Sequence, residues 1–292
     1  MKNYLDALRY ILDNGEIRKN RTGIDTIGVF GMQQRYDLRK GFPAITTKKL
    51  AWKAVVSELR WFLKGSSDER ELCEMLHGTR DEEKKTIWTD NANAPYWKPK
   101  ARYKGDAGRI YGVQWRHWLT RQKQYISSSV WEYVEIDQIK NLIDSIKKDP
   151  FGRRHIISAW NPAELDQMAL PPCHVMAQFY VNSKNELSCQ MYQRSADMPL
   201  GVPFNIASYS LLTHMIAQVC GLGVGEFIHT VGDAHIYLNQ IDAVKEQLAR
   251  QPLPLPTLWL NPNIKNIDSF KMDDCKLINY QHHEPIQIPF SV

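Results

Sequence analysis

Between residues 154 and 193 the segments "RHIISAW", "HVMAQFYV" and "LSCQMYQ" read as successive strands separated by turn residues, with no helical stretch between them. That run rules out strict βαβ alternation. A helix is predicted over 136–148 before it, and a long one over about 207–220 after it, closed by Gly221. "EFIHTVG", a helix near 236–250 and the proline-rich "QPLPLPTLWLNP" follow. Helices and strands in this order predict an α/β (α+β) fold, a large mixed sheet flanked by helices, and argue against a dinucleotide-binding domain.

Upstream, Tyr4, Leu5, Leu8, Ile11 and Leu12 recur at helical spacing and stop before Gly15, and "DTIGVFGMQQRYD" reads as extended structure interrupted by glycine. Val55, Leu59, Phe62 and Leu63 form an apolar stripe that marks a second helix over 51–63. Glu58 lies on or beside its inward face, where a carboxylate needs a partner or a purpose. "NANAPYWKPKARYKG" and "RQKQYISSSV" are expected to be irregular insertions, near 90–110 and 117–135, in a single domain of residues 1–292, because no composition shift accompanies them. No internal repeat and no phosphate-binding G-x-x-x-x-G-K-[ST] loop is present.

With 292 residues, 43% hydrophobic and 24% charged, the chain can bury a sizeable core and is neither disordered nor low-complexity. It has no apolar run long enough to span a bilayer, and "MKNYLDALRYILDNG" carries acidic residues unlike a secretory leader, so a cytoplasmic protein without a membrane partner is expected. The five cysteines are odd in number and widely spaced, which supports neither a disulfide framework nor a structural zinc site, and no metal is expected. A formal charge of +5 suits a small anionic ligand better than a long nucleic acid.

Cys173 follows a rigid Pro-Pro step and precedes His174, in "ALPPCHVMAQFYV". Two readings stand at this point: a buried packing thiol, or a nucleophile held still. "YQRSADMPLGVPFN" sets Arg194, Ser195, Asp197 and Asn205 in a short span after a strand. Arg194 can bind an anion and favour a neighbouring thiolate; equally, the span can be an ordinary strand-to-helix loop with Asn205 as the helix cap.

Taken together, "RTG" at Arg21, "GFPAITTKK" at 41–49, "SELRWFLKGS" at 57–66, "TIW" at 86–88, "YGVQWR" at 111–116, "RRHIISAWNPAELDQMALPPCH", "QRSADMPLGVPFNIASY" and "GDAHIYLNQ" resemble, in this order, the motifs of the thymidylate synthase family. The resemblance runs from the first helix to the last residues and is weakest at 66–110 and 117–135.

The resemblance implies reductive methylation of dUMP to dTMP, with 5,10-methylenetetrahydrofolate as co-substrate giving both carbon and hydride and leaving as dihydrofolate. Cys173 is then the nucleophile that adds to ring carbon six, which makes carbon five reactive. Glu58 matches the acid-base carboxylate, Tyr111 a tyrosine implicated in removing the carbon-five proton, and His174 a support of the water network. Arg21, Arg194 and Ser195 match phosphate ligands, and Arg153 and Arg154 the pair donated across a homodimer, though a surface pair is the bland alternative. Asp197, in the same nucleotide-binding segment, is expected among the dUMP-binding residues as well. Asn205 matches the residue that reads uracil, and His235 and Tyr237 those that contact the sugar. Lys48, Ile87, Trp88, Leu170, Asp197, Leu200, Gly201, Phe204 and Val292 match the folate site. Trp88 would offer it a flat apolar face, and Lys48, otherwise a surface lysine, would attract its glutamate tail.

The chain departs from the pattern at Thr89, where aspartate is usual, at Arg109, Pro199 and Gln240, which replaces a frequent histidine, and in its terminal "FSV". These departures leave dUMP as substrate and keep open an alternative, a dUMP hydroxymethylase that makes 5-hydroxymethyl-dUMP and tetrahydrofolate. A nucleic-acid-binding module using the basic charge and the aromatic segment 90–135 would give Cys173 no task, and nucleic acid is not expected as a partner.

Overall fold

The computed structural model of the chain describes residues 1–20, 23–123 and 131–290. In chain order its elements are α1 (Lys2–Asn14), β1 (Glu16–Arg18), β2 (Thr26–Asp37), α2 (Trp52–Leu63), α3 (Glu69–His77), α4 (Thr89–Ala92), α5 (Tyr111–Arg116), β3 (Trp118–Lys123), β4 (Trp131–Ile136), α6 (Gln138–Lys148), β5 (Ile156–Ser158), β6 (His174–Val181), β7 (Glu186–Asp197), α7 (Gly201–Cys220), β8 (Gly223–Tyr237), α8 (Ile241–Ala249), β9 (Thr257–Leu260) and β10 (Cys275–Ile278). They divide into two compact units, Met1–Val55 with Cys173–Val292, and Val56–Pro172.

The first unit holds β1, β2, β8, β7 and β6 side by side in that order. β1, β2 and β8 pair antiparallel, β8 runs parallel to β7, and β6 returns antiparallel to β7, so the sheet is mixed as expected. α7 is the crossover between the parallel pair. Its apolar residues are buried on nearly every side, among them Ile206, Leu211, Leu212, Met215 and Ile216, so it forms the core with Leu187, Cys189 and Met191 of β7 and Phe227 and Val231 of β8. Gly221 ends it in the left-handed region, φ 71°, where glycine carries no steric cost. In the second unit α6 starts on an Asp137 cap and buries Ile139, Leu142, Ile143 and Ile146.

Several boundaries differ from the sequence reading. β7 continues through Arg194, Ser195 and Asp197, which places these residues on a strand and not in a loop. α7 starts at Gly201, six residues before the apolar pattern begins, because Pro203 falls in the first turn, where its missing N–H costs nothing. Asn205 is therefore inside the helix and is not its cap. β8 reaches Tyr237, and α8 starts only at Ile241, after a 3-10 turn over Leu238–Gln240. The segment expected to be irregular at 117–135 contains the antiparallel pair β3 and β4; residues 124–130 of it lie outside the described residues. Within 90–110 turns dominate, held by the buried Asp106 carboxylate, which binds the Arg102 guanidinium and the N–H of Gly108.

Candidate active site

Cys173 stands one residue before β6, where the antiparallel register pairs His174 with Gln193. Arg194 donates its backbone N–H to the Cys173 carbonyl at 2.8 Å, and its Nη2 lies 4.0 Å from the Cys173 Sγ. The Cys173 side chain is half-buried. Gly232 on β8 makes the close strand approach possible: a Cβ there would lie 2.9 Å from the Arg194 carbonyl oxygen. His174 is buried with Nδ1 2.9 Å from the Tyr209 hydroxyl, and burial first, then the neighbouring His229, lowers it to about 3, so it stays neutral.

Alternation along β7 turns Leu187, Cys189, Met191 and Gln193 inward, which leaves one amide on an apolar face. Gln193 Nε2 donates to the Ser195 carbonyl at 3.0 Å, and a carbonyl only accepts, so the orientation of the amide follows. Its Oε1 must then accept from His229 Nε2 at 2.9 Å, and Nε2 donates to Asn205 Oδ1 at 3.1 Å. The Asn205 NH2 is thereby turned away from Gln193 as a donor. Burial lowers His229 to about 3, which keeps this ring neutral too. Neither Gln193 nor His229 was singled out from the sequence; a polar residue at an inward strand position was the available signal.

The parallel register sets Ser195 beside Asp233 and Asp197 beside His235, at the carboxyl ends of both strands, the usual place for a ligand in such a sheet. Asp233 accepts from His235 Nδ1 at 2.9 Å and from Arg18 at 3.2 Å, so the other ring nitrogen of His235 is the one left to meet a ligand. The Tyr237 ring packs edge-on against His235, centroids 5.4 Å apart. Asp197 accepts the Leu200 N–H at 3.1 Å and Gln240 Nε2 at 3.1 Å, while burial raises its carboxyl against these bonds and against the charges of His235 and Lys48. Lys48 is buried, not a surface lysine: its Nζ donates to the Pro199 carbonyl at 2.6 Å, and burial lowers it to about 8. Gly201 and Phe204 are half-buried at the start of α7, behind Leu200.

In the second unit, α2 carries Glu58 against a cluster of aromatic rings. Trp88 Nε1 donates to Glu58 Oε1 at 2.8 Å, and burial, only partly offset by this bond, pushes the carboxyl up to about 7. The Trp88 ring is buried, packed edge-on against Phe62 and Tyr111, so its polar tip has a task beyond the flat face read from sequence. Tyr111 starts α5, and Gly112 beside it lets this helix touch α2, since a Cβ at 112 would meet the Phe62 carbonyl at 2.5 Å. Ile87 is exposed, Leu170 half-buried, and Arg153 and Arg154 both exposed. Arg21 and Val292 lie outside the described residues.

Two departures from the family pattern have local explanations. Arg109 binds the buried Glu164 at 2.7 Å and the His117 carbonyl at 2.6 Å. Thr89 donates to the buried Glu69 at 2.6 Å. Among the described residues, no group of three or more His, Cys, Asp or Glu is arranged to hold a metal ion, and no helix is long and apolar enough to cross a membrane.

The family model described as thymidylate synthase matches residues 2–292. Among curated proteins, the chain is 49% identical over 307 aligned residues to the thymidylate synthase of Malacoplasma penetrans (strain HF-2), covering 98% of each. It is 48% identical over 293 aligned residues to the bifunctional dihydrofolate reductase-thymidylate synthase of Zea mays, covering 99% of this chain and 54% of that one, about half its length.

Proposed function

We infer the task of each side chain from one premise: the chain belongs to the thymidylate synthase family, and its activity is the synthesis of dTMP from dUMP. The observation that carries the assignment is the guanidinium of Arg194 at the sulfur of Cys173, 4.0 Å away. A cation there favours the thiolate, the form that adds to carbon six of the pyrimidine. The same guanidinium, with Ser195 and Arg21, suits the phosphate.

Asn205 presents its NH2 to a carbonyl of the base and keeps a lone pair of Oδ1 for the ring N–H, a pattern that fits uracil and opposes cytosine. His235 and Tyr237 take the sugar. Glu58, near 7, can both give and accept a proton at neutral pH, as acid-base work on the base requires. Tyr111 serves proton removal from carbon five, and neutral His174 holds the water network. 5,10-Methylenetetrahydrofolate, the proposed co-substrate, supplies the carbon and the hydride and leaves as dihydrofolate. Lys48, Ile87, Trp88, Leu170, Asp197, Leu200, Gly201, Phe204 and Val292 are the proposed folate set. The hydroxymethylase alternative is not favoured: the relatives carry the synthase name, and Thr89 and Arg109 answer to buried carboxylates nearby.

A homodimer is proposed. Gln178 and Tyr180 of β6 and Gln190 and Tyr192 of β7 leave one sheet face exposed, which supports a second copy as its cover, with exposed Arg153 and Arg154 as the arginines given to the partner's phosphate site. The family match runs through both compact units, which supports one catalytic domain over 1–292. A cytoplasmic setting is proposed, since five cysteines, odd in number and widely spaced, suit a reducing compartment.

Incubation with dUMP and methylenetetrahydrofolate, read by mass spectrometry and near-ultraviolet absorbance, tests the reading. dTMP with a rise from dihydrofolate is expected, lost in Cys173→Ala; a hydroxymethyl product without the rise overturns it. Arg194→Gln should slow alkylation of Cys173 at neutral pH by about tenfold, as expected when a contacting cation is removed.

A further inference from the structure

The side-chain amide of Gln240 holds three groups at once. It is fully buried, its Oε1 accepts the Tyr237 N–H at 3.1 Å, and its Nε2 donates to Asp197 Oδ2 at 3.1 Å and to the Pro289 carbonyl at 3.0 Å. One acceptor and both hydrogens are used. Pro289 lies near the end of the chain, in a segment without regular structure. The geometry points to Gln240 as a positioning residue that makes docking of the C-terminal segment and orientation of the Asp197 carboxylate a single event, through a side-chain amide that does not itself titrate.

A histidine at this position could not do the same. Neutral imidazole has one donor and one acceptor, too few for three partners; protonated, it donates twice and can no longer accept from Tyr237. The link would then vary with pH through the imidazole range. Among the described residues, Asp197 is the only carboxylate that the amide hydrogen-bonds. Around that carboxylate stand Lys48 from the segment before α2, His235 on β8 and Tyr4 on α1. Its Oδ1 is held independently by the Leu200 N–H, so the Oδ2 side alone carries the connection to the tail. The consequence for folate rests on the reading of Asp197 as a folate contact; the link itself does not.

Gln240→Glu tests it. Glutamate keeps the acceptor for the Tyr237 N–H, but its second oxygen carries one hydrogen when protonated and none when ionised. Hydrogen exchange of residues 286–290 in the ligand-free full chain, corrected for intrinsic rates, is followed with pH, together with kcat and KM for methylenetetrahydrofolate and dUMP. Protection in the parent should stay constant over the pH range in which Asp197 keeps one charge state. In Gln240→Glu it should fall about tenfold as pH rises, the loss expected for a buried charge-assisted bond, with folate KM rising in parallel and dUMP KM unchanged. Asp197→Ala should release the tail by itself, and the double variant should release it no further. If Gln240→Glu does not fold, Gln240→His should instead show protection that changes through the imidazole range.

Unchanged protection in Gln240→Glu, or in Asp197→Ala, overturns the link. Tail release in both variants without any change in folate KM upholds the link and overturns the folate reading of Asp197.

Discussion

The indole N–H of Trp88 ends on Oε1 of Glu58 at 2.8 Å, and the bond fails to hold the carboxyl in its ordinary range: burial outweighs it and leaves Glu58 near 7. Trp88→Phe removes what favours the carboxylate, so Glu58 should move higher and the pH limb of kcat should shift to higher pH with it. Glu58→Gln should lower kcat by about 10²- to 10⁴-fold, the usual range for a lost acid-base group. Stability carries a second signature. The unfolded carboxyl releases its proton near 4.5 and the folded one near 7, so the parent loses stability between those values and is level above them. The melting temperature of Glu58→Gln relative to the parent should therefore climb through that window and then stay constant. A difference independent of pH would contradict the assignment.

The direction of the Gln193 amide is set by the Ser195 carbonyl and backed by the N–H of His229, and Asn205 inherits it. Gln193→Met frees the Asn205 amide to turn over, which costs the match to uracil. His229→Phe removes the donor behind Gln193 and should act in the same direction but less strongly. In steady-state assays the ratio of kcat/KM for dUMP over dCMP should fall about tenfold in Gln193→Met, a loss typical of one buried hydrogen bond. An equal fall for both nucleotides would mean that Gln193 only supports the fold.

Parts of this site were legible in the chain and parts were not, for physical reasons. Cys173, Arg194 and Asn205 lie in short stretches whose residue types announce their chemistry. β7 was cut short in the sequence reading because Arg194, Ser195 and Asp197 break its apolar alternation with residues needed at a ligand-facing strand end. The start of α7 was hidden because Gly201, Val202 and Pro203 spell a turn in isolation, while proline in a first helical turn is harmless. The relay through Gln193 and His229 and the Gln240 link depend on strand register and on a loop returning from far along the chain; alternation marks Gln193 as a polar residue at an inward position, but periodicity names none of the partners.

Acid sensitivity should be built into α7. His214 has Nε2 buried without a partner among the described residues, and burial holds it at about 4. Its folded value lies below the unfolded 6.5, so the unfolded state binds the proton first as pH falls, and stability present above 6.5 is lost on the way to about 4. Replacing it with Met removes one such proton. Urea unfolding at several pH values in that window should then show a slope smaller by about 1.4 kcal/mol per pH unit than in the parent. An unchanged slope would mean that His214 is already charged in the folded chain.

Thr89 and Glu69 have to be replaced together. The Thr89 hydroxyl donates to Glu69 Oε1 at 2.6 Å, Thr86 donates to the same oxygen at 2.7 Å, and Arg70 pairs with the carboxylate, which is wholly buried. A charge so deep is tolerable only while each of its lone pairs is met. Aspartate at 89, the residue the family usually has there, would exchange a donor for a second carboxylate against the first. Thr89→Asp alone should destabilise the chain by about 3–5 kcal/mol, the range for an uncompensated buried charge. Glu69→Gln in the same chain removes the repulsion and restores a donor, so the double variant should recover at least about 1 kcal/mol over the sum of the single changes. Chemical denaturation of the four proteins closes the cycle. Strict additivity would show that the Thr89 hydroxyl is not what holds Glu69 in place.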